Sequence, residues 1–313
     1  MKLGMVFPGQ GSQSVGMLRE LVDTYSVARD TFTEASDALG YDLSAMMLEG
    51  PEAELNRTQN TQPAVLVAGV AAWRVWRELG GPMPQLMAGH SVGEFTALVC
   101  AQALPFAEAV RFVNTRGKCM QAAVPEGDGA VAAVLGLDDD AVVLACTAAA
   151  GDQVVSAVNF NAPGQVVIAG HTAAVERALA AAKEAGARKV MVLPVSVPVH
   201  CQLMEAPGKE LEAHIDALTL SAPSVPIVHN VDVRSHASAD KIRAVLRPHV
   251  YSPVPWTRTI EQMRGEGVDT IIECGPGKIL AGLIKRIDRK ISALPIFDTA
   301  SVDKALAAVQ NDG

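Results

Sequence analysis

The segment GHSVGEF, from Gly89 to Phe95, constrains the fold more than any other part of the chain. The apolar run QLMA precedes it and a run of small and apolar residues follows, so we expect a strand, a tight turn and a helix. The pattern Gly89-x-Ser91-x-Gly93 is typical of a strained turn that exposes a nucleophilic serine, where side chains in place of the glycines would collide with the helix start and the neighbouring strand. Alternatively, Ser91 caps the helix, with Glu94 three residues later completing a capping box, and both roles can coexist.

The composition fits a compact protein with a sizeable core. The chain has 313 residues, of which 49% are hydrophobic and 19% charged, enough for one large domain or two unequal ones. No window approaches the ~20 uncharged apolar residues that cross a bilayer, and no signal peptide is recognisable, so we expect a cytoplasmic protein without a membrane partner. The net charge of −8 disfavours nucleic acid. The five scattered cysteines form no CxxC pair, which indicates reduced thiols.

The order of predicted elements indicates an α/β fold with an insertion. A first strand and helices over residues 63–79 and 106–124 are typical of a parallel sheet. After the segment PEGDG the order changes to strand–helix–strand–strand–helix–strand, which is that of a ferredoxin-like unit. The β/α pattern resumes with TIIECGPG and KILAGLIKRI. We therefore expect a parallel-sheet core from residues 1–126 and 196–313, with an inserted ferredoxin-like (βαββαβ) subdomain over residues 127–195.

A glycine-flanked loop, FPGQGSQ, follows the first strand. It lacks the lysine and the glycine spacing of a nucleotide-phosphate loop, and a plain turn between strand and helix is the simplest alternative. If Ser91 is a nucleophile, the backbone N–H of Gln10 can point into its site as one oxyanion donor. The backbone N–H of Val92 is a second donor, at a helix start whose dipole favours developing negative charge.

A general base for Ser91 would be a histidine, and the chain has seven. His90 adjoins the serine in the turn and is expected to point away from it. His200 ends LPVSVPVH, which we interpret as a β-like run, and a histidine just past a strand is well placed to reach a neighbouring turn. We rank His200 first as the base, His249 second and His229 third. The remaining three lie in polar settings typical of the surface: His171, His214 and His236.

Arg116 is a charged residue on an apolar helix face. Phe112, Val113 and Met120 surround it at three- and four-residue steps. A buried guanidinium needs compensation, and few acids lie nearby in the sequence. Either a distant carboxylate pairs with it, or it binds a ligand carboxylate through two parallel hydrogen bonds. In the second case a serine acyl-enzyme would suit the thioester of a dicarboxylic acid.

Several segments in fixed order resemble the bacterial malonyl-CoA:acyl carrier protein transacylases of fatty acid synthesis. The similarity runs over nearly the whole chain, and the family's hydrolase-like α/β core with an inserted ferredoxin-like subdomain agrees with the layout above. The resemblance implies ping-pong transfer of a malonyl group from malonyl-CoA to the phosphopantetheine thiol of holo-acyl carrier protein, with no cofactor and no metal. The segments are FPGQGSQSVGM, NTQPAVL, GHSVGEF, RGKCMQAAVPEG, NFNAPGQVVIAG, PVSVPVHC and ECGPGKIL.

The resemblance also implies roles for individual residues. Ser91 matches the nucleophile that carries the malonyl group as an ester, and His200 matches its base. Arg116 matches the arginine that pairs with the malonyl carboxylate. The backbone N–H groups of Gln10 and Val92 match the oxyanion donors.

The sequence departs from the family pattern at three positions. Val92 stands where many relatives have Leu, which is harmless if only its N–H acts. His249 stands where Gln is usual; its main-chain carbonyl is expected to orient His200, while its side chain adds a second ionisable ring. Val199 replaces a small Ser and crowds the pocket near the acyl α-carbon.

Other functions use the same turn. A serine esterase or thioesterase for neutral acyl groups would have no use for Arg116, a trans-acting acyltransferase of a polyketide synthase would share the whole site, and a non-catalytic docking module would use Ser91 only as a cap. An acidic carrier protein would need a local basic rim. Its candidates are Lys183, Arg188, Lys189, Lys285, Arg286 and Arg289.

Overall fold

The structure, a computed structural model, describes residues 1–125, 127–195 and 197–310. In these residues the strands form one parallel and one antiparallel sheet. In chain order they are β1 (Leu3–Phe7), β2 (Leu86–Gly89), β3 (Gly129–Leu135), β4 (Val155–Ala162), β5 (Gln165–His171), β6 (Lys189–Val192), β7 (Ile227–Val228), β8 (Thr270–Cys274) and β9 (Ser292–Ile296).

The helices cover both faces of the parallel sheet and one face of the antiparallel sheet. In chain order they are α1 (Arg19–Thr24), α2 (Ser26–Leu39), α3 (Leu43–Glu49), α4 (Glu52–Leu55), α5 (Thr58–Glu78), α6 (Gly93–Cys100), α7 (Phe106–Ala123), α8 (Asp139–Ala150), α9 (Thr172–Glu184), α10 (Glu205–Asp216), α11 (Ala239–Leu246), α12 (Trp256–Gly265), α13 (Ile279–Ile287) and α14 (Thr299–Gln310). A short 3-10 turn covers Gln202–Met204. Within the described ranges, no helix combines the length and apolar character needed to cross a membrane.

The parallel sheet has five strands in the order β7-β2-β1-β8-β9. Strands β1, β2 and β8 are buried along their whole length, as expected for a parallel sheet covered on both faces. Met5 and Phe7 face one hydrophobic cluster, which includes Trp76 of α5. Val6 between them faces a second cluster around Trp256 of α12. This core places the carboxyl ends of β1 and β2 side by side, where the two glycine-flanked loops follow.

Helix α5 begins five residues earlier than the predicted helix over residues 63–79. Pro63 lies inside it and has no N–H to donate to the carbonyl of Gln59. That carbonyl instead accepts a hydrogen bond from Nδ2 of Asn114 on α7, at 2.9 Å. A tertiary contact therefore stabilises a helical turn that proline would otherwise weaken, and the sequence around Pro63 does not reveal it.

The antiparallel sheet has four strands in the order β4-β5-β3-β6. Its chain order, β3-α8-β4-β5-α9-β6, is the predicted βαββαβ sequence, and α8 and α9 pack on one face around Val134 and Ile168. The predicted fold class, a parallel-sheet core with an inserted ferredoxin-like subdomain, is confirmed. The predicted boundary residues Glu126 and Ser196 lie outside the described residues, as do residues 311–313 at the end of the core.

The segment before His200 differs from the prediction. Strand β6 ends at Val192, and the described residues on either side of position 196 form turns instead of the predicted β-like run over LPVSVPVH. Pro194 and Pro198 lack the N–H donors that would extend strand pairing. His200 therefore follows a turn, and its backbone N–H donates to the Val250 carbonyl at 2.9 Å.

Main-chain hydrogen bonds join the inserted subdomain to the core. The N–H of Phe160 in β4 donates to the Val254 carbonyl at 3.0 Å, and the N–H of Val254 donates to the Val158 carbonyl at 2.8 Å. These bonds hold β4 against the segment that leads into α12. As a result, side chains from the subdomain reach the same cavity as the loops after β1 and β2.

Candidate active site

Ser91 lies in the tight turn between β2 and α6. Its φ angle is 52°, in the left-handed region that non-glycine residues seldom adopt. A Cβ at Gly89 would lie 2.0 Å from the carbonyl carbon of Gly93, and a Cβ at Gly93 would lie 2.2 Å from the carbonyl oxygen of Phe7. Both distances are far shorter than any normal contact, so the predicted reason for the two glycines is confirmed.

The predicted capping box at this turn is wrong. Helix α6 begins at Gly93 with Val92 as its N-cap, and its start has no side-chain capping hydrogen bond. The left-handed turn leaves the Oγ of Ser91 bonded to His200. The carboxylate of Glu94 accepts instead from His229 and from a main-chain N–H. The N–H groups of Gly93 and Glu94 donate to main-chain carbonyls, so among the described residues only that of Val92 is left free at the start of α6.

Ser91 and His200 form a hydrogen-bonded pair. The Oγ of Ser91 lies 2.7 Å from Nε2 of His200, which is the distance expected between a nucleophile and its base. Nδ1 of His200 lies 2.9 Å from the carbonyl oxygen of Ser252 and 3.1 Å from that of His249. Since both of these partners are acceptors, Nδ1 carries the proton and Nε2 has a lone pair for the Ser91 hydroxyl.

The environment of His200 favours the neutral ring. The side chain is buried, and its φ angle of 64° is the second left-handed value at the site. Burial, followed by the nearby His249 and Arg116, holds the pKa of His200 well below its usual value. A neutral imidazole can accept a proton, so the ring is prepared to act as a base.

Sequence reasoning found one of the two carbonyl groups that orient His200. The carbonyl of His249, which the resemblance indicated, is present, but the shorter hydrogen bond goes to the carbonyl of Ser252. Both belong to a compact loop in which the N–H groups of Tyr251 and Ser252 donate to the Pro248 carbonyl. Any residue type supplies a main-chain carbonyl, so the side chain of Ser252 gave no signal.

Two backbone N–H groups near Ser91 remain available to a ligand. In the described part of the chain, neither Gln10 nor Val92 donates its backbone N–H to another protein group. Both residues line the same cavity as Ser91. The side chain of Gln10 is turned to Thr58, whose Oγ1 it approaches at 3.3 Å. This arrangement suits an oxyanion hole, in which main-chain donors meet a developing negative charge.

Arg116 is buried, and among the described residues it has no carboxylate partner of the kind that one alternative required. Its exposed fraction is 2%, and Nη1 donates to Oε1 of Gln62 at 2.7 Å. Nη2 has no hydrogen-bond partner among the residues that the structure describes. Burial lowers the pKa of Arg116 to about 10, and the negative charge of Glu94 opposes this effect. The guanidinium is therefore charged, fixed by a neutral amide, and has N–H donors to spare.

Sequence reasoning did not single out Gln62. It lies in NTQPAVL, a segment that carried the resemblance, but an isolated glutamine in a helix has no pattern that indicates a role. Its Nε2 contacts the sulfur of Met120 at 3.1 Å while its Oε1 accepts from Arg116. Because the amide oxygen is neutral, Gln62 orients the guanidinium without neutralising it.

One cavity of about 170 Å³ connects these groups. Val199 lines it together with Ser91 and His200, while its effect on an acyl group stays a prediction. The remaining walls come from both subdomains and from α13. They include Val131, Asn159, Asn161, Val167 and Leu193 of the small subdomain and Ile279, Leu280 and Leu283 of α13.

The other histidines are held away from the Ser91 hydroxyl. Nε2 of His90 lies 2.8 Å from Oδ1 of Asn161, and the ring packs edge-on against Trp256, so it points away as expected. Nδ1 of His229, the third-ranked base, lies 2.8 Å from Oε1 of Glu94. Within the described residues, no group of three or more His, Cys, Asp or Glu side chains has the arrangement of a metal site.

An α/β fold with a serine on a strained turn, a histidine base and free main-chain donors defines a serine-dependent acyl-transfer protein. The model of the family described as "acyl transferase domain" matches residues 5–301. The malonyl CoA-acyl carrier protein transacylase of Salmonella typhimurium is 54% identical over 305 residues, which is 97% of this chain and 99% of that protein. The chain therefore belongs to the acyl transferase family, among its malonyl CoA-acyl carrier protein transacylases, and the resemblance of the motifs is confirmed.

Solved structures agree with this assignment. A crystal structure of an acyl carrier protein S-malonyltransferase from Vibrio cholerae has a TM-score of 0.95 and 51% identity, covering 97% of this chain and 100% of that one. A malonyl-transacylase in complex with a type II PKS acyl-carrier protein has a TM-score of 0.97 and 51% identity, covering 98% of this chain and 100% of that one.

Proposed function

We propose that this acyltransferase moves the malonyl group of malonyl-CoA to the phosphopantetheine thiol of acyl carrier protein, through a malonyl ester on Ser91, and so supplies fatty acid synthesis. The observation that carries the proposal is the buried guanidinium of Arg116 in the same cavity as Ser91 and His200. A dicarboxylic acyl group would place its free carboxylate against Arg116 while its thioester reaches Ser91. A neutral acyl group would leave the guanidinium unpaired, at a cost of roughly 1–3 kcal/mol or more.

In the first half-reaction, Ser91 attacks the thioester carbonyl of malonyl-CoA. Nε2 of His200 takes the hydroxyl proton as the new C–O bond forms. The carbonyl oxygen becomes negative and accepts hydrogen bonds from the backbone N–H groups of Gln10 and Val92. When the C–S bond breaks, the imidazolium of His200 returns the proton to the sulfur of CoA. The malonyl group then remains on Ser91 as an ester.

The second half-reaction is the reverse with a different thiol. The phosphopantetheine thiol of acyl carrier protein gives its proton to Nε2 of His200 and attacks the ester carbonyl. The same N–H donors stabilise the intermediate. The C–O bond to Ser91 breaks, and His200 returns the proton to the serine oxygen. The carbonyl groups of Ser252 and His249 accept from Nδ1–H throughout and support the imidazolium that forms in both half-reactions.

The rim of the cavity supports an acidic carrier protein as partner. Leu280 and Leu283 of α13 line the cavity, and Lys285 and Arg286 follow them on the same helix with exposed side chains. Arg286 also donates to Gln165 of the small subdomain, so its positive charge lies at the junction of the two parts. We further propose a cytoplasmic location, because the five cysteines are free, as expected in a reducing compartment.

A second candidate is supply of a polyketide synthase. The similar malonyl-transacylase in complex with a type II PKS acyl-carrier protein favours it, and the chemistry at Ser91 would be identical. The two carriers differ only outside the cavity. Comparing transfer rates to a fatty acid carrier and to a polyketide carrier, each in its holo form, separates these candidates.

The test is a product analysis with malonyl-CoA and holo-acyl carrier protein. We expect malonyl-carrier protein to form with little free malonate, and apo-carrier protein, which lacks the thiol, to receive nothing. Free malonate as the main product would overturn the proposal in favour of a thioesterase. Acetyl-CoA at equal concentration serves as the matched substrate without a carboxylate, and we expect it to react far more slowly.

A further inference from the structure

We infer that Asn230 is a positioning residue for the nucleophile: its side-chain amide holds the strained turn around Ser91, and the buried carboxylate of Glu94 holds Asn230. The inference rests on the proposed role of Ser91. Neither residue lines the cavity, and Asn230 carries no motif that pointed to it in the sequence.

The amide of Asn230 makes one hydrogen bond to each side of the turn. Oδ1 accepts from the backbone N–H of Ser91 at 2.9 Å, and Nδ2 donates to the carbonyl of Gly89 at 2.7 Å. The main-chain pairing of β2 with β7 ends at Ala88 and Val228. The side-chain amide has one donor and one acceptor side, as a peptide group has, and so it continues the ladder where β2 bends into the turn.

Glu94 fixes the main chain of Asn230. Its Oε2 accepts from the backbone N–H of Asn230 at 2.8 Å, and its Oε1 lies 2.8 Å from Nδ1 of His229. Burial by itself would raise the pKa of Glu94, but the neighbouring His249 and His229 outweigh it and hold the pKa well below its usual range. The carboxylate is therefore ionised inside the protein. It sits in the first turn of α6, three residues after Ser91.

The same carboxylate also reaches the loop that orients the base. Nε2 of His249 lies 3.4 Å from Oε2 of Glu94, and the main-chain carbonyl of His249 accepts from Nδ1 of His200. One buried charge thus contacts the support of Ser91, through Asn230, and the support of His200, through His249. These contacts give the buried carboxylate of Glu94 a role in the site, although it takes no part in proton transfer.

The two hydrogen bonds from the Asn230 side chain to Ser91 and Gly89 form a clamp on the turn. This clamp has two consequences for acylation of Ser91. It opposes relaxation of the left-handed φ angle, which would move Oγ away from His200. It also occupies the backbone N–H of Ser91, so that the neighbouring N–H of Val92 alone faces the oxyanion from this side of the turn. Loss of the clamp would displace the nucleophile, and a displacement of about 1 Å typically slows a reaction about 100-fold.

The experiment is Asn230→Ala, compared with wild type in acylation by malonyl-CoA. Intact-mass spectrometry on a rapid-quench time course gives the fraction of chains that accept a malonyl group, the acylation rate constant for those chains and the KM. We expect the rate constant per acylated chain to fall about 100-fold while KM changes less than about threefold, since substrate contacts are intact.

Ser301→Ala is the matched control. Ser301 lies in the first turn of α14, and its Oγ accepts from the N–H groups of Phe297 and Asp298, which precede the helix, at 3.0 Å each. None of these residues lines the cavity. Like Asn230→Ala, the Ser301→Ala substitution therefore removes a side chain that supports main-chain groups. We expect it to lower the unfolding temperature and to leave the acylation rate constant unchanged.

Asn230→Asp keeps the test valid if the alanine variant does not fold. A neutral carboxyl group has the same donor and acceptor sides as the amide and restores both bonds, whereas an ionised one repels the carbonyl of Gly89. Several ionisable groups face this position: Glu94 bonds to the main chain of Asn230, His229 and His249 contact Glu94, His236 stacks on His229, and His200 bonds to Ser91. We expect the ratio of variant to wild-type acylation rate to fall as pH rises.

An Asn230→Ala variant that acylates at the wild-type rate per competent chain overturns the inference, as does an Asn230→Asp ratio that stays near one across a pH range in which NMR titration shows that the introduced carboxyl group ionises. Absence of acylation of Ser91 in the wild-type protein is a different failure, because it overturns the proposed function. The wild-type time course in the same experiment distinguishes the two.

Discussion

Arg116→Ala tests the basis of substrate choice. In the wild-type site Nη1 is occupied by Gln62, while Nη2 is buried without a partner in the described residues. A malonyl carboxylate would use that free donor and meet the positive charge of a guanidinium that is buried from solvent. An acetyl group offers neither interaction. The substitution should therefore affect the two thioesters differently.

The size of the effect follows from the hydrogen bonds at stake. A buried hydrogen bond to a charged group contributes about 1.5–3 kcal/mol, and one or two such bonds are available to the carboxylate. We expect Arg116→Ala to lose about 2–4 kcal/mol of transition-state stabilisation with malonyl-CoA, or about 30- to 1000-fold in kcat/KM. With acetyl-CoA we expect no loss, because the substitution removes a guanidinium that acetyl leaves unpaired.

The assay is the ratio of kcat/KM values for malonyl-CoA and acetyl-CoA, measured as acylation of the protein. Arg116→Lys should be intermediate, since it keeps the charge but loses the planar fork. Arg177→Ala is the control, because its guanidinium donates to the carbonyls of Ala149 and Ala150 in the small subdomain. A ratio unchanged in Arg116→Ala would refute the role of the arginine and reopen the esterase interpretation.

Three further predictions follow from the same geometry. His249→Gln removes a neighbour that lowers the pKa of His200, so the pKa of His200 should rise. Since His200 must be neutral to act as base, the acidic limb of the pH profile of kcat/KM should move to higher pH. A limb at the wild-type pH would contradict this. Val199→Ser enlarges the cavity beside the acyl group, so the rate ratio of methylmalonyl-CoA to malonyl-CoA should rise in a competition assay. Gly89→Ala would place a Cβ 2.0 Å from the main chain of α6 and should abolish soluble folded protein. A Cβ at Gly282 would meet no atom of the described residues within 4 Å, so Gly282→Ala should raise the free energy of unfolding by about 0.5–1 kcal/mol and with it the unfolding temperature.

Periodicity and motif spacing predicted most of the fold. The strand and helix around Ser91 and the βαββαβ insertion each carry a local signal: a change of period, a glycine pair or an acidic helix start. The start of α5 was predicted wrongly because Pro63 was assessed by local preference, while a distant hydrogen bond, from Asn114 to the Gln59 carbonyl, stabilises the turn before it. The β-like run before His200 was wrong for the opposite reason, because Pro194 and Pro198 lack the N–H donors that strand pairing needs.

In the candidate site, too, local sequence patterns mark some residues, while only the folded structure reveals the others. Ser91, Arg116 and His200 were accessible to sequence reasoning because a motif, a charge on an apolar face and a rare residue type mark them. Gln62 and the carbonyl of Ser252 were missed, because an amide or a main-chain carbonyl acquires meaning only from what folds against it. The predicted capping box at Ser91 was also wrong, since spacing cannot show that Oγ is already bonded to His200.

The most direct test of the account is to locate the acyl group after brief treatment with malonyl-CoA. Acid quenching, protease digestion and mass spectrometry of the peptides identify the modified residue. We expect one malonyl ester, on Ser91, that is lost when holo-acyl carrier protein is added and absent from a folded Ser91→Ala variant. A wild-type protein that folds but carries no ester on Ser91, or an ester that forms equally in Ser91→Ala, would contradict it.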